Sequence, residues 1–145
     1  MCIRDRALTE AAHLESTGKA LDQLVSSGIR ASLFVDPDET SIQAAADIGA
    51  DAVELHTGEY ANATTATRAE EISRLRRASA LAKELGISVH AGHGLTYENV
   101  SPIASIPEIE ELNIGHSIVA RSVFTGLERA VRDMAKIIRQ ARLKA

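Results

Sequence analysis

Aromatic side chains are scarce in this 145-residue chain, at 3% of residues, with two Tyr, two Phe and no Trp. Stacking platforms for single-stranded nucleic acid are therefore missing, and the core must be aliphatic. Cys2 is the one cysteine, which excludes an internal disulfide and fits a reducing, cytoplasmic setting. No apolar run approaches the ~20 residues that span a bilayer, so no membrane partner is expected. Residues 1–6 are charged and lack the apolar segment of a signal peptide. A net charge of −4 argues against a nucleic-acid surface. Arg74, Arg76 and Arg77 do cluster, but Glu70, Glu71 and Glu84 surround them, the pattern of a solvated helical face. The histidines are dispersed, without His-x-x-His or acidic spacing for a metal. No dinucleotide fingerprint, P-loop or nucleophile elbow occurs. No Gly/Ser- or Pro-rich linker divides the chain, and its length suits one domain or part of one.

What the chain does have is a repeated unit, an apolar-alternating strand that ends in a polar turn, usually with glycine. Four copies stand at Ser32-Leu33-Phe34-Val35-Asp36, Ala52-Val53-Glu54-Leu55-His56-Thr57-Gly58, Ile87-Ser88-Val89-His90-Ala91-Gly92-His93-Gly94 and Leu112-Asn113-Ile114-Gly115-His116. Each precedes a helical pattern, and strand–helix units in series imply an α/β fold with a parallel sheet. Before the first strand, Ser16 or Thr17 can cap a helix carrying Leu21, Leu24 and Val25, stopped by Gly28. Asp36-Pro37-Asp38 opens a second helix, with proline in its first turn, that buries Ile42, Ala45, Ala46 and Ile48. Residues 57–67 form the longest loop. A long helix over 68–85 carries Ile72, Leu75, Ala78, Ala82 and Leu85 on one stripe. Thr96 caps a short helix that Pro102 limits, and a short helical turn begins near Ser117. The last helix, after Gly126, buries Leu127, Val131, Met134, Ile137 and Ile138.

The alternation within the strands selects the architecture. Leu33, Val35, Val53, Leu55, Ile87, Val89, Ala91, Leu112 and Ile114 form an apolar face that helices can cover. The other face carries Ser32, Phe34, Asp36, Glu54, His56, Ser88, His90 and Asn113. An open doubly wound sheet is apolar on both faces, whereas a barrel interior turns polar toward its mouth. Four strands cannot close an eight-stranded barrel, so the chain reads as a half-barrel, a partial TIM (β/α)8 fold.

Parallel α/β proteins place their chemistry at the carboxyl ends of the strands, and His56, His93 and His116 all fall there. Glu54 and His56 lie two apart on one strand and face the same interior. A carboxylate there either takes part in chemistry or ion-pairs with a lysine or arginine of the lumen, and His56 either joins it or simply hydrogen-bonds backbone, so both readings stay open. In Ala91-Gly92-His93-Gly94 two glycines let backbone approach a ligand beside an exposed imidazole, a group suited to proton transfer near neutrality; the alternative is a tight turn in which His93 is incidental. Gly115-His116-Ser117 ends the last strand and opens a helix, the usual phosphate position of barrels.

These residues carry a resemblance. The segments Ala31–Asp36, Glu54-Leu55-His56-Thr57-Gly58 with Tyr60-Ala61, Ala91-Gly92-His93-Gly94-Leu95-Thr96-Tyr97 with Asn99-Val100, and Glu111-Leu112-Asn113-Ile114-Gly115-His116 with Thr125-Gly126-Leu127 are similar to the pyridoxine 5′-phosphate synthase family. The likeness runs from about Gly28 to Arg142, more loosely from Thr9, and corresponds to strands five to eight of that family's barrel. It implies that residues 7–145 are the C-terminal half of one TIM-barrel domain. Residues 1–6 would then be a leader foreign to the fold. It also implies a cytoplasmic transferase of vitamin B6 biosynthesis that joins 1-deoxy-D-xylulose 5-phosphate to 3-amino-2-oxopropyl phosphate without metal or organic cofactor. By resemblance His93 is the proton donor, Glu54 stabilises transition-state charge, Gly94 contacts the amino-ketone phosphate, Gly115 and His116 hold its phosphate, and Thr9 matches a substrate-contacting threonine. The full-length parent would be a homo-oligomer, an octamer. Since the family's early-strand acid/base groups and arginine clamps lie outside this sequence, the chain alone is expected to be inactive. Two rival expectations are another phosphosugar-binding lyase or epimerase, and a non-catalytic half-barrel that dimerises to cover its strand edges.

Overall fold

The computed structural model describes residues 11–144; the expected leader and Thr9 lie outside them. Along the chain run α1 (Ala11–Ser26), β1 (Ser32–Val35), α2 (Glu39–Asp47), β2 (Ala52–His56), α3 (Gly58–Asn62), α4 (Arg68–Glu84), β3 (Ser88–Gly92), α5 (Val100–Ala104), β4 (Ile109–Asn113), α6 (His116–Thr125) and α7 (Leu127–Arg142). The four strands are parallel and lie in chain order, β1-β2-β3-β4. This is the partial TIM barrel expected from the alternation. Val35, Val53, Leu55, Val89 and Ala91 are buried on the helix-covered face against Ile42, Leu75, Ala82, Val100 and Ile103. No helix among the described residues is long and apolar enough to cross a membrane.

Local chemistry explains where elements differ from the expected ones. Ser16 and Thr17 lie inside α1 rather than capping it, and only Leu21 of its three named apolar residues is buried; Leu24 and Val25 are exposed. Asp38 caps α2, accepting from the Ser41 N–H at 2.8 Å, so Pro37 precedes the helix instead of occupying its first turn. The expected loop after β2 holds the five-residue α3, pinned by Tyr60. Tyr60 is 1% exposed and donates its hydroxyl hydrogen bond to Asn99 O at 2.6 Å, and burial pushes its phenol above the usual value. Asn99, not Thr96, stands at the N-cap of α5, and Pro102 falls in the first turn, where the missing N–H costs nothing. Strand β4 starts earlier than Leu112 and contains an irregularity. Val89 pairs with Ile109 but His90 with Glu111, leaving Glu110 as the extra residue, ion-paired with Lys83 of α4 at 2.8 Å.

The largest departures are in the last two helices. The short turn expected near Ser117 is a ten-residue helix. On α7 Ala130, Met134 and Ala141 are buried, while Leu127 and Val131 are 61% and 47% exposed. Val119, Val123 and Phe124 of α6 are exposed as well. Strand β4 stands at one edge of the sheet, with no further strand beyond it among the described residues.

Candidate functional site

The pairing register fixes which side chains share the uncovered face of the sheet. Phe34, Glu54, His90 and Glu111 lie across one row, and His56, Gly92 and Asn113 across the next. Paired residues in neighbouring parallel strands point to the same side, so these groups gather at the carboxyl end of the uncovered face.

Glu54 makes the most informative contact in this group. Its carboxylate reaches from β2 across β3 and accepts a hydrogen bond from Asn113 Nδ2 on β4 at 2.9 Å. Gly92 makes the crossing possible. A Cβ there would sit 2.1 Å from Glu54 Oε1, 3.0 Å from Asn113 O and 3.1 Å from Asn113 Cβ. Burial pushes the Glu54 carboxyl above the usual carboxylate range; the Asn113 hydrogen bond and then His90 oppose the rise, Glu111 adds to it, and His93 opposes it. Among the described residues the hydrogen-bond partner of Glu54 is this amide, not a lysine or arginine. A half-buried carboxylate of this kind is held ready either to take a proton or to stabilise a neighbouring positive charge.

His93 follows directly on Gly92 and is exposed. Its backbone φ is +80°, in the left-handed region that costs a residue with a side chain about 1–3 kcal/mol. Gly94 continues at +77°. Together they carry the chain out of β3 through two consecutive left-handed residues. The ring lies 4.8 Å from that of His56 and 6.4 Å from Phe34, and His56 meets Phe34 edge-on at 5.2 Å. His56 is nearly buried, with Nδ1 3.6 Å from Asp36 Oδ1. His56 and His93 can approach because position 58 is glycine; a Cβ there would lie 2.5 Å from His56 Cε1 and 3.2 Å from His93 Cδ2.

Gly115 is the N-cap residue of α6 and His116 its first residue, both exposed. The first amides of a ten-residue helix thus open at the same edge of the sheet, where a helix terminus favours an anion. Ser117 ties this terminus to the His93 loop by donating to Leu95 O at 2.9 Å. Of the six residues expected to form the site, Glu54 and His93 are near enough to interact electrostatically, Gly94 follows His93 in the same turn, Gly115 and His116 open the helix whose Ser117 bonds that turn, and Thr9 lies outside the described residues.

The sequence matches the family model described as Pyridoxal phosphate biosynthesis protein PdxJ over residues 4–140. The chain belongs to the PdxJ family. It is 58% identical over 115 residues to a protein named pyridoxine 5′-phosphate synthase from a Sulfurihydrogenibium species, a match covering 79% of this chain and 47% of the relative. Proteins of the same name are 52% identical over 136 residues in a Synechococcus species (94% and 55%) and 48% identical over 135 residues in Zymomonas mobilis (93% and 53%). The chain spans about half the length of these curated relatives.

At this candidate site, three residues make contacts that strand-end reasoning did not assign. Asn113 was legible only as a polar residue alternating with Leu112 and Ile114, because its role depends on a register across three strands. Gly92 read as freedom for the backbone, whereas it provides room for a carboxylate. Thr57, buried at 0% exposure, read only as the start of the loop after its strand. Its side chain makes contacts with residues 35 and 36 positions later in the chain, which no local pattern signals.

Proposed function

We propose that this chain is the C-terminal half-barrel of a pyridoxine 5′-phosphate synthase, joining 1-deoxy-D-xylulose 5-phosphate to 3-amino-2-oxopropyl phosphate with loss of phosphate and water. The observation that carries the reading is the half-buried Glu54 carboxylate beside the outward-turned His93 at the carboxyl end of the sheet. Imine formation, dehydration and ring closure each move protons, and an imidazole is the side chain that does so near neutrality. His93 is assigned as the proton donor. Glu54, fixed by Asn113, is assigned to stabilise positive charge that develops on the condensing nitrogen. Gly94 is assigned a contact with the amino-ketone phosphate on the strength of the family resemblance, and the amides around Gly115 and His116 receive a phosphate with the help of the helix dipole. Thr9 is assigned a substrate contact on the strength of the family resemblance.

The open edges of β1 and β4 and the exposed Val119, Val123, Phe124, Leu127 and Val131 support reading the sheet as half of a closed barrel. On this reading residues 7–145 are part of a single TIM-barrel domain, and the full-length parent is a cytoplasmic homo-oligomer. The chain by itself is inactive, since groups that act as a unit are not individually sufficient. The test is to supply both phosphorylated substrates to the purified chain, alone and mixed with the separately purified N-terminal half of the Synechococcus relative. Pyridoxine 5′-phosphate is expected only from the mixture, and not when the chain carries His93→Asn. Product from the chain alone overturns the claim of inactivity; a soluble stoichiometric complex without turnover overturns the assigned activity.

A further inference from the structure

Thr57 stands at the N-cap position of α3, yet its hydroxyl does not cap that helix. A threonine there ordinarily accepts from the helix's own first amides. Instead Oγ1 lies 2.7 Å from Gly92 O and 2.6 Å from His93 O, so its one hydrogen is shared between two consecutive carbonyls of the neighbouring strand end. The Thr57 N–H also donates to Gly92 O at 2.9 Å. These bonds hold the peptide groups on either side of the His93 α-carbon, and that residue has the +80° φ. Thr57 is fully buried, and removing its hydroxyl would take this bond from the His93 carbonyl, whereas Gly92 O would keep the Thr57 N–H.

We propose that Thr57 is a positioning residue that clamps the backbone of His93 in its left-handed conformation and thereby aims the imidazole into the site. This inference rests on the reading of His93 as the proton donor for its catalytic meaning, though not for its geometry. Relaxation of φ to the ordinary negative range would swing the imidazole away from His56 and from the space beside Glu54. Such a displacement leaves the substrate-binding groups of α6 in place while removing the proton donor from reach. Its kinetic signature is a loss in kcat with KM unchanged.

The experiment compares the parent chain with Thr57→Val, which keeps size and branching but has no hydroxyl, and Thr57→Ser, which keeps the hydroxyl. In the 145-residue chain, NMR reads the His93 backbone through its HN–Hα coupling and Cα shift. Thr57→Val is expected to lose the left-handed signature and Thr57→Ser to retain it. In the reconstituted enzyme, Thr57→Val is expected to lower kcat on the order of 100-fold with KM unchanged, and Thr57→Ser to restore it. A folded Thr57→Val chain that keeps the His93 signature overturns the proposal, as does a Thr57→Ser chain that loses it. Independently of any variant, the Thr57 hydroxyl proton of the parent chain is expected to exchange slowly and to show an Overhauser contact to His93 or Gly94. A rapidly exchanging hydroxyl overturns the clamp even if Thr57→Val fails to fold. If the parent shows no turnover but Thr57→Val still releases His93, the assigned activity fails and the clamp stands.

Discussion

Replacing Gly92 with alanine tests the site geometry without requiring any turnover. The added Cβ would stand 2.1 Å from Glu54 Oε1, against the 3.4 Å at which ordinary contact begins, so 1.3 Å must be found by moving the carboxylate. That movement takes Glu54 off its 2.9 Å bond from Asn113. The same Cβ is also 3.0 Å from Asn113 O, a backbone atom of β4 that cannot step aside without disturbing the ladder. Overpacking of this kind costs about 1–3 kcal/mol, which in a chain of this size lowers Tm by roughly 3–10 °C. Because part of the cost is a collision with one carboxylate, it should shrink when that carboxylate is removed. Urea unfolding of the parent, Gly92→Ala, Glu54→Ala and the double variant closes a cycle, and a coupling of about 1–2 kcal/mol is expected. Some cost remains in the double variant from Asn113. Strict additivity would refute the claim that Glu54 crosses β3 over Gly92.

Two further expectations follow from the same contacts. Burial raises the Glu54 carboxyl in the folded chain, so the folded state holds that proton more tightly than the unfolded one. Its contribution to stability is therefore present at low pH and declines as pH climbs from the ordinary carboxylate range through the raised value; Glu54→Gln, which can still accept from Asn113, is expected to flatten that decline in denaturation curves taken across acid to neutral pH. At α2, Asp38→Ala removes the acceptor of the Ser41 N–H and is expected to cost about 1 kcal/mol, with Asp38→Asn close to neutral; equal losses in the two variants would show that charge near the helix dipole, rather than capping, is the main contribution.

Several parts of this structure were legible because the physics is local. Alternation of Val53, Glu54, Leu55 and His56 can put only one pair against helices, and Gly49 and Gly86, each at positive φ, mark where helices must stop. The polar half of that alternation was enough to prefer a barrel interior over an open sheet. Helix starts were less legible. Thr96 and Asn99 are both competent caps three residues apart, and the choice falls to Asn99 because its side chain accepts from the Thr96 N–H at 2.7 Å while its own carbonyl receives the buried Tyr60 hydroxyl. The exposure of Leu127 and Val131 was not legible either, since an amphipathic helix shows which of its faces is apolar but not whether a neighbour stands there.

The sequence by itself determined the order of the strands and the longer helices between them, the two faces of each strand, the family, the placement of Glu54 on the polar face of its strand, and that of His93, Gly115 and His116 at or just past strand ends, because side-chain alternation and turn chemistry act over a few residues. Only the tertiary structure decided that Glu54 meets Asn113 across an empty Gly92, and that a threonine at the end of β2 holds the backbone of His93. Those contacts join residues 35 to 59 positions apart, and the register between parallel strands that sets them comes from how whole helices pack on the sheet.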